Sequence, residues 1–221
     1  TAGPVELKGG GVEFKKCWKP GATVRIRFLD GETAVQRRVA RVAREWTKYA
    51  NIRFEFGDDP NAEVRVSFKP GAGSWSYVGT DALAVAKDQP TMNLGWITAK
   101  TQQSEVQRVV LHEFGHVLGL VCEATYNTTI PWDRNKVMAS FSGPPNNWSR
   151  EQIEAQFFRT PPEEYPPEGL WMKEFDPYSV MLWPISKDLT IGGFETHLNT
   201  ELSNVDKRFI AEVYPHDAKA A

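Results

Sequence analysis

The 221-residue sequence predicts an α+β fold. It has a twisted mixed sheet with two long helices first, then an irregular half ending in a helix, with a cleft between them. Three observations predict it. Short strand-like runs interleave with two helix-period stretches up to residue 121. Proline pairs break the chain repeatedly after residue 122. A hydrophobic content of 41% is enough for one well-packed domain of this length. The expected subdomains are 1–121 and 122–221.

Residues 24–29 alternate like a strand and stop at Asp30-Gly31, a turn signal. Residues 33–50 read as one amphipathic helix. Val35, Val39, Val42, Ala43, Trp46 and Tyr49 form its apolar stripe, and the arginines opposite read as a solvated face. Two strands, 52–56 and 64–68, flank Gly57-Asp58-Asp59-Pro60. Pro70-Gly71-Ala72-Gly73 leads into a short segment at 75–78, and 91–97 is a further strand. A second helix is expected from about Ser104, its N-cap candidate. After Cys122, Pro131-Trp132, Gly143-Pro144-Pro145, Pro161-Pro162 and Pro166-Pro167 argue against long regular elements. Helices are expected at 149–158 and 203–213, the latter capped by Ser203 with Asp206 three residues on.

The second helix carries the chemistry. Its apolar run contains His112, Glu113, Phe114, Gly115 and His116, the pattern H-E-x-x-H. Residues four apart share a helix face, so His112 and His116 can hold one zinc ion. Glu113 projects beside them, where it can reach a water on the metal without ligating it. Val109, Val110, Leu111, Phe114, Val117, Leu118 and Leu120 surround these polar groups, so partners are expected for them. Gly119 can turn the chain sharply and bring residue 122 back toward the ion.

On these residues the chain resembles the metzincin metallopeptidases, and within them the astacin-like group. The family pattern H-E-x-x-H-x-x-G-x-x-H is matched at His112, Glu113, His116 and Gly119. Ser179-Val180-Met181-Leu182-Trp183-Pro184 resembles the family's Met-turn, S-x-M-x-Y-P. Gly73-Ser74-Trp75-Ser76-Tyr77-Val78-Gly79 resembles its edge-strand region. The similarity spans about 18–214. It implies a zinc endopeptidase with one Zn2+ per chain and Glu113 as general base and acid. It also implies Met181 as a base under the metal and a peptide or protein substrate laid along Trp75, Ser76, Tyr77 and Val78. Secretion is implied by the resemblance, with no signal peptide in a chain that begins at Thr1. A monomer is expected.

The chain departs from the family in its second half. Cys122 stands at the third ligand position, Trp183 replaces a tyrosine that assists the transition state, and Leu182 replaces the His before it. An indole donates a hydrogen bond but cannot ligate a metal. Tyr178, close in sequence, is not given the missing role. Cys122 leaves four alternatives open: a zinc thiolate, a free thiol beside a two-histidine site, a disulfide with Cys17, or loss of the metal. An imidazole Nε2 reaches roughly 2 Å further than a cysteine sulfur, so a thiolate ligand requires the loop after Gly119 to lie further in. Glu123 is a possible oxygen donor, with a structural bond expected instead. A pseudopeptidase that binds a peptide or protein partner in the same cleft is the alternative function.

The remaining features bound the problem. A net charge of −2 gives no electrostatic case for nucleic acid or an anionic membrane, and no apolar run is long enough to span a bilayer. Two cysteines make no disulfide framework. Two N-glycosylation sequons begin at Asn127 and Asn147. His197 and His216 lie outside any ligand spacing, and surface or structural roles are expected for them.

Overall fold

The computed structural model describes residues 8–124, 129–144, 146–158 and 170–216. The elements in chain order are β1 (Lys8–Glu13), β2 (Thr23–Phe28), α1 (Thr33–Ala43), β3 (Arg53–Phe56), β4 (Val64–Ser67), β5 (Ser74–Ser76) and β6 (Met92–Leu94). They continue as α2 (Gln103–Val117), β7 (Leu120–Val121), α3 (Arg134–Ser142), α4 (Arg150–Phe157), β8 (Leu170–Glu174) and α5 (Asn204–Val213). The Asn127 sequon, Pro145, Pro161-Pro162 and Pro166-Pro167 lie outside the described residues. Among the described residues, no helix is long and apolar enough to cross a membrane.

The larger sheet has the order β3-β2-β4-β6-β5. β2 is parallel to β3 and β4, and β4 is parallel to β6; β5 closes the edge antiparallel to β6. Parallel neighbours need a long crossover, which α1 supplies between β2 and β3. Side chains alternate across the strands. Val24, Ile26, Val64, Val66, Met92 and Leu94 join Val39 of α1 and Val110 and Phe114 of α2 in the main core.

The opposite face of β4 and β6 is polar and covered by loops. Arg65 is fully buried and donates to the carbonyls of Ala62, Val85, Ala86 and Gln89. The Asn93 side chain accepts from Ser67 Oγ and Lys69 N, and donates to the carbonyls of Lys69 and Gly73. Buried polar groups are costly without partners, and these bonds satisfy them while fixing the loops that flank β5. The edge strand is thereby held in place.

A smaller antiparallel sheet has the order β7-β1-β8. The two residues of β7 pair with Gly11 and Val12 of β1, directly after α2 ends. Sequence patterning does not reveal this sheet, because β1 is glycine-rich and β7 only two residues long.

Several boundaries differ from expectation. The first helix ends at Ala43, and a 3-10 turn follows at Trp46–Lys48. There the fully buried Trp46 donates its indole N–H to Leu111 O at 2.9 Å, so a tertiary bond overrides the helical stripe. Gln102, not Ser104, caps α2, and it does so without a side-chain bond. Arg38 holds the loop leading in, donating to the carbonyls of Thr98, Ala99 and Thr101. α3 is an unexpected helix, started by Asp133, whose carboxylate accepts from Lys136 N. The capping box of Ser203 and Asp206 forms as expected, and Ser149 makes a similar one with Gln152.

Gly119 has φ +88°, and a Cβ there would lie 3.2 Å from Cys17 Sγ and 3.3 Å from Val12 Cγ2. A left-handed conformation costs an L-residue about 1–2 kcal/mol. Gly119→Ala should therefore lower the thermal midpoint by roughly 2–8 °C. An unchanged midpoint in a calorimetric scan would show that the turn has slack.

Candidate metal centre

His112 and Glu113 are buried on α2, and His116 is half-buried. Each histidine is fixed by a backbone carbonyl. His112 Nδ1 lies 2.8 Å from Val180 O, and His116 Nδ1 lies 2.8 Å from Leu120 O. A carbonyl only accepts, so both Nδ1 atoms carry the proton and both Nε2 lone pairs remain available. Burial pushes both imidazoles below their ordinary pKa, His112 most strongly, with His116 adding to the effect. Both rings are thus neutral, the form that binds a metal.

Both Nε2 atoms face Cys122. Its Sγ lies 3.6 Å from His112 Nε2 and 3.7 Å from His116 Nε2. The three donor atoms all lie within 4.8 Å of one another. Bond lengths of about 2.3 Å to sulfur and 2.0–2.1 Å to nitrogen at tetrahedral angles put S and N roughly 3.6 Å apart. The sulfur-to-nitrogen distances therefore fit zinc. Two backbone contacts hold Cys122 there. β7 pairs with β1 on one side, and Glu123 N donates to Met181 O at 2.9 Å on the other.

This arrangement corrects one alternative for Cys122. Cys17 and Cys122 are not joined in a disulfide. Cys17 packs at the Gly119 turn, while the Cys122 sulfur faces the histidines. Glu123 is outside the donor cluster; its carboxylate accepts from Asp176 N at 3.4 Å. His197 and His216 are exposed and lie elsewhere.

Met181 packs beneath the helix turn that carries the histidines. A Cβ on Gly115 would come 2.3 Å from its Sδ, so the glycine inside the motif makes room for the methionine. The segment around Met181 is rigidly bonded. Asp206 accepts from Ser179 Oγ at 2.6 Å and from Val180 N at 3.0 Å. The carbonyl that fixes His112 is therefore itself fixed through α5.

Glu113 is 1% exposed, and among the described residues no hydrogen bond reaches its carboxylate. Burial pushes its pKa up to about 8, against a smaller downward pull from Arg108. Arg108, one turn before His112, was not legible as a site residue. Its only signal is a charge on an otherwise apolar helix face. Glu105 holds its guanidinium at 2.9 and 2.6 Å.

Trp183 packs against the site, its ring centroid 4.4 Å from that of His112. Leu182 turns away into a small apolar cluster with Ile130 and Ile185. Tyr178 is 66% exposed. On the opposite wall, β5 packs against α2 and pairs with β6 along one side only. Trp75 stands across from Asn93 on the face away from the core, while Ser74 and Ser76 stand across from Leu94 and Met92 on the α2 side. Trp75 and Tyr77 are exposed and meet edge to face at 6.0 Å. Val78 is half-buried at the start of the next turn.

The family model for Astacin, a peptidase family, matches residues 12–157. No curated protein sequence matches. Among solved structures, one of myroilysin is 39% identical and aligns with a TM-score of 0.87, covering 94% of this chain and 99% of that one. A crystal structure of myroilysin, also 39% identical, aligns with a TM-score of 0.68 over 90% of this chain and 86% of that one. A high choriolytic enzyme, a hatching-enzyme zinc protease from Oryzias latipes (medaka fish), is 15% identical. It has a TM-score of 0.54 over 90% and 94% of the two chains, a likeness of fold. With the family model covering more than half its length, and a relative of 39% identity spanning nearly all of it, the chain belongs to the astacin family of metallopeptidases.

Proposed function

We propose that the protein is a zinc-dependent endopeptidase whose metal is held by His112, His116 and Cys122. The observation that carries this reading is the position of the Cys122 sulfur, 3.6 and 3.7 Å from two imidazole nitrogens whose tautomers are already set for a metal. Zinc bound there would act as a Lewis acid, lowering the pKa of a coordinated water from about 15.7 toward neutrality.

The chain's own residues supply the rest. Glu113 takes the proton of the attacking water and returns it to the leaving amine nitrogen. Its burial without a hydrogen-bond partner suits that traffic and gives it no evident structural use. Met181 supports the histidines from below. An extended substrate adds to the free edge of β5, along Trp75, Ser76, Tyr77 and Val78, with backbone hydrogen bonds for affinity. Alternation then sends one set of its side chains toward α2 and the next toward Trp75 and Tyr77. Secretion belongs to the same reading and is supported by family membership.

Glu113→Gln keeps the shape of the side chain and removes the base. It should lower kcat by about 100- to 10,000-fold while zinc per chain stays unchanged. Turnover close to the parent's would remove Glu113 from the mechanism. A chain that holds zinc and binds peptides yet cuts none would be a binding module.

Cys122→Ser should weaken zinc binding by more than the roughly 10- to 100-fold that losing an outer-shell partner costs. Cys122→His should also weaken it, because the backbone is already placed for the shorter thiolate. Competitive chelator titration measures both. A His variant that binds zinc as tightly as the parent would show that the loop is not set for sulfur.

A further inference from the structure

We propose that the hollow between α1 and the carboxyl ends of β2 and β3 binds the last residue of a peptide that ends in an aromatic side chain. The hollow holds about 310 Å³, the lower end of small-ligand sites and room for one residue. It lies where ligands of parallel sheets gather, outside the carboxyl ends of the strands. Its floor is aromatic. Phe28 ends β2 and Phe56 ends β3, and their rings stack at 5.7 Å with planes 16° apart. Both are half-buried, so part of each ring is open to a ligand.

The wall is α1. Arg37, Ala40 and Arg44 follow one another at spacings of three and four residues, so they share a helix face. Ala40, in the middle, has only a methyl group, which leaves a notch between two cations. Arg44 is held over the Phe56 ring, 4.8 Å from its centroid. Arg37 is exposed, and among the described residues neither guanidinium has a carboxylate or carbonyl partner. Their neighbours are committed. Arg38 binds the carbonyls before α2, and Arg25 binds Asp59 and Glu63. Asp58, also exposed, stands on the rim just beyond Phe56.

These groups match one chemistry. The floor takes an aromatic ring, the two guanidinium groups take a carboxylate, and Asp58 takes the N–H that a chain end presents beside it. An aliphatic end residue would forgo the stacking, and an internal residue would bring no carboxylate. The chain as a whole carries −2, so this cationic notch is local and not part of a general positive field. A peptidase leaves a free carboxylate on every peptide it cuts, so chain ends of this kind are at hand. The hollow lies at the β3 edge of the sheet, and β5 is the other edge, roughly 19 Å away across four strand spacings. A chain end bound there leaves the metal cluster and the β5 edge clear, and it needs neither metal nor turnover.

The test is an NMR titration of the full chain with N-acetylphenylalanine, which carries the ring, the carboxylate and the N–H of a chain end. The backbone amides of Ala40, Phe56 and Gly57 should shift, with a Kd on the order of 1 mM. No shift there at about 20 times that concentration overturns the proposal, as do shifts confined to α2 and β5. N-acetylphenylalaninamide lacks the charge and N-acetylalanine lacks the ring. Each should bind roughly fivefold more weakly or worse. Equal affinity of the amide overturns the role of the arginines, and equal affinity of N-acetylalanine reduces the notch to an ordinary anion contact. Ala40→Leu fills the notch and should abolish the shifts. Arg37→Gln, on an exposed side chain, should weaken binding about two- to fivefold. Parent-like affinity in Arg37→Gln overturns the proposal even if Ala40→Leu does not fold. None of these readouts involves turnover, so failure of the peptidase reading would leave them intact.

Discussion

The site depends on two hydrogen bonds, from His112 Nδ1 to Val180 O and from His116 Nδ1 to Leu120 O. Two imidazoles are buried in a helix that is otherwise apolar, and burial alone would leave four ring nitrogens without partners. The two carbonyls satisfy the Nδ1 side and fix the tautomers. They also tie α2 to both segments that complete the site. Val180 belongs to the turn around Met181, and Leu120 begins the two-residue strand that leads into Cys122. Each segment is secured elsewhere, the first by Asp206 of α5 and the second by β1. Gly115 lets Met181 approach the helix, and Gly119 lets the chain double back. The N-terminal strand, the terminal helix and α2 are therefore parts of one device for aiming two nitrogens and a sulfur at one point.

A thiolate ligand changes what that point can do. A metal held by two neutral imidazoles and one thiolate would be one unit less positive than one held by three imidazoles. Such a metal would make its water less acidic and would polarise a carbonyl less. Compensation from the surroundings is to be expected, and the polar groups nearest the cluster are consistent with it. Glu113 sits in a desolvated position that raises its basicity. Arg108 brings a fixed positive charge to within one helical turn of His112 and stacks on Trp183, whose ring lies against that of His112. A thiolate also makes the ligand shell open to oxidation, which an all-histidine shell resists.

Much of this architecture can be read from local spacing. His112, Glu113 and His116 declare themselves because a helix repeats every 3.6 residues. Ser203 and Asp206 do so because a capping box is a four-residue motif. The strands of the larger sheet follow from alternation and flanking turns, while the edge position of Trp75 is implied by the family resemblance of residues 73–79. What stays hidden is set by long-range backbone partners. Nothing near His112 in sequence points to Val180 O, 68 residues away. The early end of α1 is decided by a bond from Trp46 to Leu111. β1 carries no hydrophobic alternation and becomes a strand only because β7 and β8 pair with it. Cys122 is the intermediate case. Its place after Gly119 suggests a ligand, but whether its shorter side chain reaches depends on a loop position that only the folded chain supplies.

X-ray absorption at the zinc K-edge, on protein loaded with one equivalent of zinc, asks most directly whether Cys122 completes the metal centre. A thiolate centre gives one sulfur at about 2.3 Å together with two imidazole nitrogens at about 2.0–2.1 Å. A first shell made only of nitrogen and oxygen would contradict it, and would leave Cys122 as a free thiol beside a two-histidine site.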